Sequence, residues 1–195
     1  MRICIFGAAS AHIDQKYIKA VEELGENLAK RGHSLVFGCG ATGLMGAAAR
    51  GFKRGGGHIK GVVPSFFKEE GIEALYEECD ETVYTATMAE RKTIMEDSAE
   101  AFIIVPGGVG TFEEMFQVIT LKQLNRMDKA IVIYDVEGYY DILEEFLNHS
   151  CDEKFIASYC HEKLYKFTED MEEAIEYVES YRPSGVPIRK TKLGE

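Results

Sequence analysis

The stretch AFIIVPGGVGTFEEMFQVITLKQLN, Ala101 to Asn125, contains three kinds of chain in succession. AFIIV (101–105) is short, continuously apolar and closed by a proline, which reads as a strand buried on both faces. From Thr111 to about Asn125, Phe112, Met115, Phe116, Ile119 and Leu124 recur at helical spacing. Between them lies PGGVGT, Pro106 to Thr111, where the backbone carries almost no side chain. Strand, glycine turn, helix is the unit of a parallel α/β sheet. Ligands in such sheets bind beyond the carboxyl ends of the strands, where this turn falls.

The same unit recurs in both directions. RICIF (2–6), HSLVF (33–37), IKGVV (59–63), AIVIY (130–134) and KLYKF (163–167) read as further strands. Helices are predicted over 13–31, 44–53, 88–98, after Gly138, and over 169–181. The acidic stretch from Lys68 to Glu81 has no period that assigns it. The expected fold is α/β and doubly wound, a mostly parallel sheet with helices on both faces. Residues 1–182 form a single nucleotide-binding domain in this reading, and 183–195 a loose C-terminal tail.

Composition agrees with one good-sized core: 195 residues, 46% of them hydrophobic. A net charge of −11 argues against non-specific binding to nucleic acid or to anionic membranes. Any anionic ligand needs a local positive site built against that field. Cys4, Cys39, Cys79, Cys151 and Cys160 show no paired spacing, which reads as reduced thiols in a cytoplasmic protein. His12, His33, His58, His149 and His161 are dispersed, so no metal site is expected. The N-terminus lacks the apolar run of a signal peptide, and no run reaches membrane-spanning length.

Three glycine-rich loops fall at strand ends: FGAAS (6–10), FGCGATGLMG (37–46) and VPGGVGT (105–111). GCGATG, Gly38 to Gly43, fits G-x-G-x-x-G, yet the next strand ends GVVPSFF with no carboxylate for a ribose diol. It reads either as a tight turn or as the wall of a mononucleotide pocket that includes Gly43. In PGGVGT, the amides of Gly107, Gly108, Val109 and Gly110 can turn inward as an anion nest, using positive φ at glycine. The helix end and the Thr111 hydroxyl add donors. No Walker lysine follows, so a single phosphate held without a metal fits better than a P-loop triphosphate.

Two glutamates follow, Glu113 and Glu114. Thr111-x-x-Glu114 fits a capping box, which would make Glu114 structural. Alternatively, a carboxylate beside a phosphate site has work to do there. MAERK, Met88 to Lys92, supplies positive charge through Arg91 and Lys92, although such a pair also suits a solvated helix face.

These residues together resemble the LOG (LONELY GUY) family of cytokinin riboside 5'-monophosphate phosphoribohydrolases, often labelled lysine decarboxylases. Pro106 to Glu114 matches the family's P-G-G-x-G-T-x-x-E throughout, and Met88, Arg91 and Lys92 match M-x-x-R-K, with Ala89 where histidine is usual. GCGATGLMGAAA resembles its G-G-G-x-x-G-L-M-G segment, with Cys39 in place of a glycine. Residues 128–149 and 152–156 resemble its later part, so the likeness spans roughly 1–180.

The resemblance implies a Rossmann-like homodimer without metal or organic cofactor. It implies hydrolysis of AMP or an N6-modified AMP to free base and ribose 5-phosphate. Arg91 and Glu114 would be the catalytic pair, and Gly107, Gly108, Val109, Gly110, Thr111, Glu113, Lys92, Met88 and Gly43 would contact the nucleotide. A non-catalytic nucleotide or molybdenum-cofactor carrier of related fold is the alternative. A true lysine decarboxylase would need a pyridoxal-phosphate lysine with aromatic and acidic ring partners, and no segment offers that set.

Overall fold

The computed structural model describes residues 1–157 and 163–183. Seven strands form one sheet: β1 (Arg2–Phe6), β2 (Ser34–Phe37), β3 (Ile59–Pro64), β4 (Glu81–Thr85), β5 (Ala101–Ile104), β6 (Ala130–Tyr134) and β7 (Lys166–Thr168). Their order is β4-β3-β2-β1-β5-β6-β7 and every pairing is parallel. This is the Rossmann-like doubly wound sheet that the alternation of strand and helix predicts.

The α-helices bounded within the described residues are α1 (Gln15–Lys30), α2 (Gly43–Gly55), α3 (Ser65–Glu69), α4 (Met88–Ser98), α5 (Val109–Gln123), α6 (Asp141–Asp152) and α7 (Met171–Ser180). Alternate residues of each strand feed opposite faces, as the two-residue period of a strand demands. Ile3, Ile5, Leu35 and Ile103 pack with Leu24, Ala48, Phe52 and Ile175 on the face covered by α1, α2 and α7. Cys4, Phe6, Val36 and Ile104 pack with Met95, Met115, Val118 and Leu147 on the face covered by α4, α5 and α6. Central strands with both faces covered have to be apolar throughout, and β5 and β6 are buried at every residue.

From β1 the chain winds outward to β4 on one side, then crosses back to β5 on the other. The loops leaving β1 and β5 therefore meet at the reversal point, where the Ala8 N–H donates to the Pro106 carbonyl at 3.1 Å. A crevice at such a point is the usual ligand site of an open α/β sheet.

Four expectations shift. The acidic stretch ends in an edge strand, β4, whose residues are mostly solvent-exposed and so lack the apolar signature of the central strands. The last strand is Lys166–Thr168 rather than 163–167. Helix α5 begins at Val109, two residues before Thr111, and α2 at Gly43. Residues 184–195 of the expected tail lie outside the described residues, as do Cys160 and His161.

Candidate active site

A cavity of about 410 Å³ opens at the reversal point, between the β1 loop, the start of α5, α4 and the segment after β3. Gly108, Gly110, Thr111, Glu113, Glu114, Met88 and Arg91 all line it, so two motifs some twenty residues apart in sequence share one space.

The glycines of PGGVGT work differently from a nest. None of Gly107, Gly108 and Gly110 has positive φ. Gly108 is the N-cap of α5, with φ −103° and ψ −153° and no side-chain cap. The N–H groups of Val109, Gly110 and Thr111 therefore stand in a first helical turn, where no intrahelical acceptor exists, and they carry the positive end of the macrodipole. At Gly107 a Cβ would fall 2.1 Å from Thr111 Oγ1, so the bare residue lets the buried threonine pack down. At Gly108 and Gly110 a Cβ would meet nothing within 4 Å, and the missing side chains leave the cavity open. Tyr139 and Tyr140 brace this loop from behind, their hydroxyls donating to the carbonyls of Gly107 at 2.6 Å and Val105 at 2.9 Å. Val109 contributes its amide only, since its side chain points to solvent.

With Gly108 as N-cap, Thr111 is the third residue of the helix and Glu114 lies in its second turn. The capping box at Thr111-x-x-Glu114 is not formed. An N-cap does form upstream, where the Thr87 hydroxyl accepts the Glu90 N–H at 3.1 Å, and the Glu90 carboxylate accepts the N–H of Ala86, the residue before the cap, at 2.8 Å. That cap holds the first turn of α4, on which Arg91 sits.

Arg91 is not on a solvated face; it is 5% exposed. Its Nε donates to the Val62 carbonyl at 3.1 Å and its Nη2 to the Gly38 carbonyl at 3.3 Å. The guanidinium thus serves strand ends β2 and β3 at once, above the Phe67 ring with its centre 5.7 Å away. Gly38 is required by this arrangement, because a Cβ there would lie 1.8 Å from Arg91 Nη2. The remaining nitrogen, Nη1, faces Glu114 Oε1 at 3.6 Å. Burial pushes the Glu114 carboxyl up to about 7, with the Arg91 charge opposing.

Glu113 is half exposed and pairs with Lys92 at the rim. Lys92 reaches the site only through that pair. Gly43 does not line the cavity. Its φ is +61°, and a Cβ would lie 2.4 Å from the Ala8 carbonyl oxygen, so it seats α2 beneath the β1 loop. The Leu44 N–H donates to that same oxygen at 2.8 Å. Met45, two residues on, does line the cavity.

Sequence reasoning missed Glu73, Phe67 and Met45 as lining residues. Glu73 Oε1 is buried without a hydrogen-bond partner, and burial raises its pKa while Arg91 lowers it. Nothing local distinguishes Glu73 among the glutamates of 69–81. One group of three carboxylates that could hold a metal, Asp135, Asp141 and Glu169, occurs among the described residues, and none of the three lines the cavity.

Comparison with known proteins follows the same lines. Residues 45–178 match the family model described as "Possible lysine decarboxylase". The chain is 35% identical over 194 residues to the cytokinin riboside 5'-monophosphate phosphoribohydrolase LOG1 of Arabidopsis thaliana, covering 100% of this chain and 90% of that one. It is 38% identical over 157 residues to the phosphoribohydrolase of the same description, LOG2, from the same plant, covering 80% and 73%. Among solved structures, the molybdenum cofactor carrier protein of Chlamydomonas reinhardtii superposes with a TM-score of 0.68 at 25% identity, covering 91% of this chain and 95% of that one. The molybdenum cofactor binding protein of Rippkaea orientalis does so at 0.67 and 20% identity, covering 92% and 95%, a likeness of fold.

Proposed function

We propose a function from one premise: the chain belongs to the "Possible lysine decarboxylase" family, the LOG family, whose curated relatives here are named phosphoribohydrolases. It hydrolyses the N-glycosidic bond of AMP, or of an N6-modified AMP, to free base and ribose 5-phosphate. The observation that carries this reading is the buried Arg91–Glu114 pair facing the same cavity as the free amides of α5.

The 5'-phosphate takes the N–H groups at Val109, Gly110 and Thr111 and the Thr111 hydroxyl, where donors and dipole favour an anion. Holding the phosphate fixes the far end of the sugar, so remote binding energy aligns the bond to be broken. Cleavage develops positive charge on the ribose ring, as in glycoside hydrolysis. Ionised Glu114 stabilises that charge and orients or deprotonates the attacking water. Arg91 favours the ionised form of Glu114, partly offsetting its burial. Met88, Met45 and Phe67 supply apolar wall for a flat base, and Lys92 holds Glu113 at the rim. No step calls on a metal or an organic cofactor.

The protein acts as a cytoplasmic homodimer in this reading. Free Cys4, Cys39, Cys79 and Cys151 suit a reducing compartment, and no helix among the described residues is long and apolar enough to cross a membrane. Phe116 on α5, Leu124 at its C-cap, and Ile142 and Phe146 on α6 remain exposed, apolar surface suited to a second copy.

Incubation with a panel of nucleoside monophosphates and nucleosides, scored for released base by chromatography, tests the reaction. AMP should be cleaved and adenosine spared, because adenosine leaves the α5 amides empty. Comparable turnover of both would overturn the reading. Tight nucleotide binding with no base released would favour a carrier, the function named for the Chlamydomonas neighbour.

A further inference from the structure

Cys39 sits at the end of β2 with φ +67°, a left-handed conformation that favours glycine. Its Sγ lies 3.9 Å from Cys79 Sγ. Both thiols donate toward one acceptor, the Tyr76 carbonyl, at 3.8 Å and 3.5 Å. The two sulfurs lie over Gly61, where a Cβ would come within 2.7 Å of one and 3.0 Å of the other. The glycine thus leaves the sulfurs room to sit together on β3.

The backbone beneath the pair is tied already. The Tyr76 N–H donates to the Cys39 carbonyl at 2.8 Å, the Ala41 N–H to the Ala74 carbonyl at 2.8 Å, and Gly40 and Leu75 form an antiparallel bridge. The β2 loop carries Gly38, whose carbonyl holds Arg91, and the facing segment carries Glu73. Cys39 is buried and Cys79 half-buried, so solvent reaches the pair from the Cys79 side. The neighbouring Cys39 thiol holds the Cys79 thiol below the usual range, and Cys79 together with burial pushes Cys39 up. Cys4 is fully buried in the core against the opposite face of the sheet and cannot compete for either sulfur.

We propose that Cys39 and Cys79 are a site of reversible oxidative modification, closed to an intramolecular disulfide by hydrogen peroxide and reopened by a dithiol. The Cys79 thiolate attacks a peroxide oxygen, the O–O bond breaks, and sulfenic acid forms as hydroxide leaves and takes a proton. Cys39 then attacks the sulfenic sulfur, the S–O bond breaks, and a second water leaves as the S–S bond forms. Two thiols are oxidised and one peroxide is reduced to two waters. The sulfurs close from 3.9 Å to a bond of about 2 Å, tying the loop that anchors Arg91 to the segment that bears Glu73.

The test is thiol counting and disulfide mapping by mass spectrometry on the full chain treated with hydrogen peroxide, then with dithiothreitol. The expected result is loss of two titratable thiols per chain, a Cys39–Cys79 linked peptide, and full recovery of both thiols on reduction. Cys39→Gly suits the positive φ and should fold, yet it should lose the linked peptide and leave Cys79 as a sulfenic acid that dimedone traps. Cys79→Ser should abolish the link as well. The proposal is overturned if both thiols survive excess peroxide, if the mapped bond joins other cysteines or two chains, or if Cys39→Gly loses as many thiols as the parent. The measurement needs no substrate, so its outcome is independent of the reaction proposed above.

Discussion

Arg91 Nη1 stands 3.6 Å from Glu114 Oε1, both side chains nearly buried, at ion-pair distance but short of a hydrogen bond. The guanidinium is seated instead by two strand-end carbonyls, those of Val62 and Gly38. Arg91 therefore has a structural position of its own, and Glu114 meets its charge at the cavity wall without a hydrogen bond to it. Each consequence can be measured.

Glu114→Gln should cut base release from AMP by about a hundredfold or more, the typical contribution of a positioned acid–base group. No cap is lost, because Glu114 does not cap α5. Glu113→Gln should cost far less, since Glu113 is exposed and its pair with Lys92 is a surface one, worth about 0–1 kcal/mol. Initial rates and urea midpoints of both variants check this, and equal rate losses would remove the distinction between them.

Arg91→Ala should lose stability as well as turnover. Two buried carbonyls and a buried carboxyl lose their partner together, a change on the order of 3–5 kcal/mol on the scale of broken buried pairs. Arg91→Lys can restore charge but not both carbonyl contacts, so it should fall between. Chemical denaturation of the three proteins would show an unchanged midpoint if the seat were unimportant.

The pH dependence follows from the raised Glu114 carboxyl. Its ordinary value is 4.5 and burial carries it to about 7, so between those values the folded protein holds a proton that the unfolded chain has released. That contribution is full below pH 4.5 and is lost as pH rises through 7. Measured without nucleotide, the stability of the parent minus that of Glu114→Gln should decline across this window. A difference independent of pH would mean that Glu114 titrates normally.

Two of the loop glycines should separate by mechanism. Gly107→Ala puts a methyl against Thr111 and should cost about 1–3 kcal/mol through overpacking. Gly110→Ala meets open space, so the fold should stand while AMP affinity falls as the methyl enters the cavity. Thermal midpoints and titration calorimetry distinguish the two, and equal melting with equal affinity would contradict both assignments.

Lys122 is buried 1% exposed on α5, with Nζ lacking a hydrogen-bond partner and lying 4.4 Å from the centre of the Tyr181 ring. Burial lowers it from 10.5 to about 8. Across that interval the unfolded chain binds the extra proton, so stability rises with pH there. Lys122→Met should stabilise the protein near neutrality by about 1–2 kcal/mol, within the range for replacing buried charge by apolar volume. The advantage should shrink as pH climbs from 8 toward 10.5. A loss at pH 7 would show that the Tyr181 contact outweighs burial.

Local pattern carried much of this protein. Apolar runs located β1 and β6 at their observed limits, because strand residues covered on both faces, all but Arg2 here, are apolar. Helix α4 has the predicted bounds, and strand–helix alternation sufficed for a parallel doubly wound sheet. The two motifs that meet in the cavity were also legible, since strand order brings the ends of neighbouring connections together.

Only the tertiary structure decided which of those residues are buried and what they touch. Arg91 looks like a surface residue beside Lys92, but its acceptors lie 29 and 53 residues away. Thr111 and Glu114 have the spacing of a capping box, yet the helix starts two residues early, at Val109, and leaves Glu114 to the cavity. Edge strand β4, Glu73 and the Cys39–Cys79 pair have no local signature at all. Sequence periodicity reports contacts within one turn or one pleat, whereas burial, pKa and thiol proximity are set by chain segments that only the closed sheet brings together.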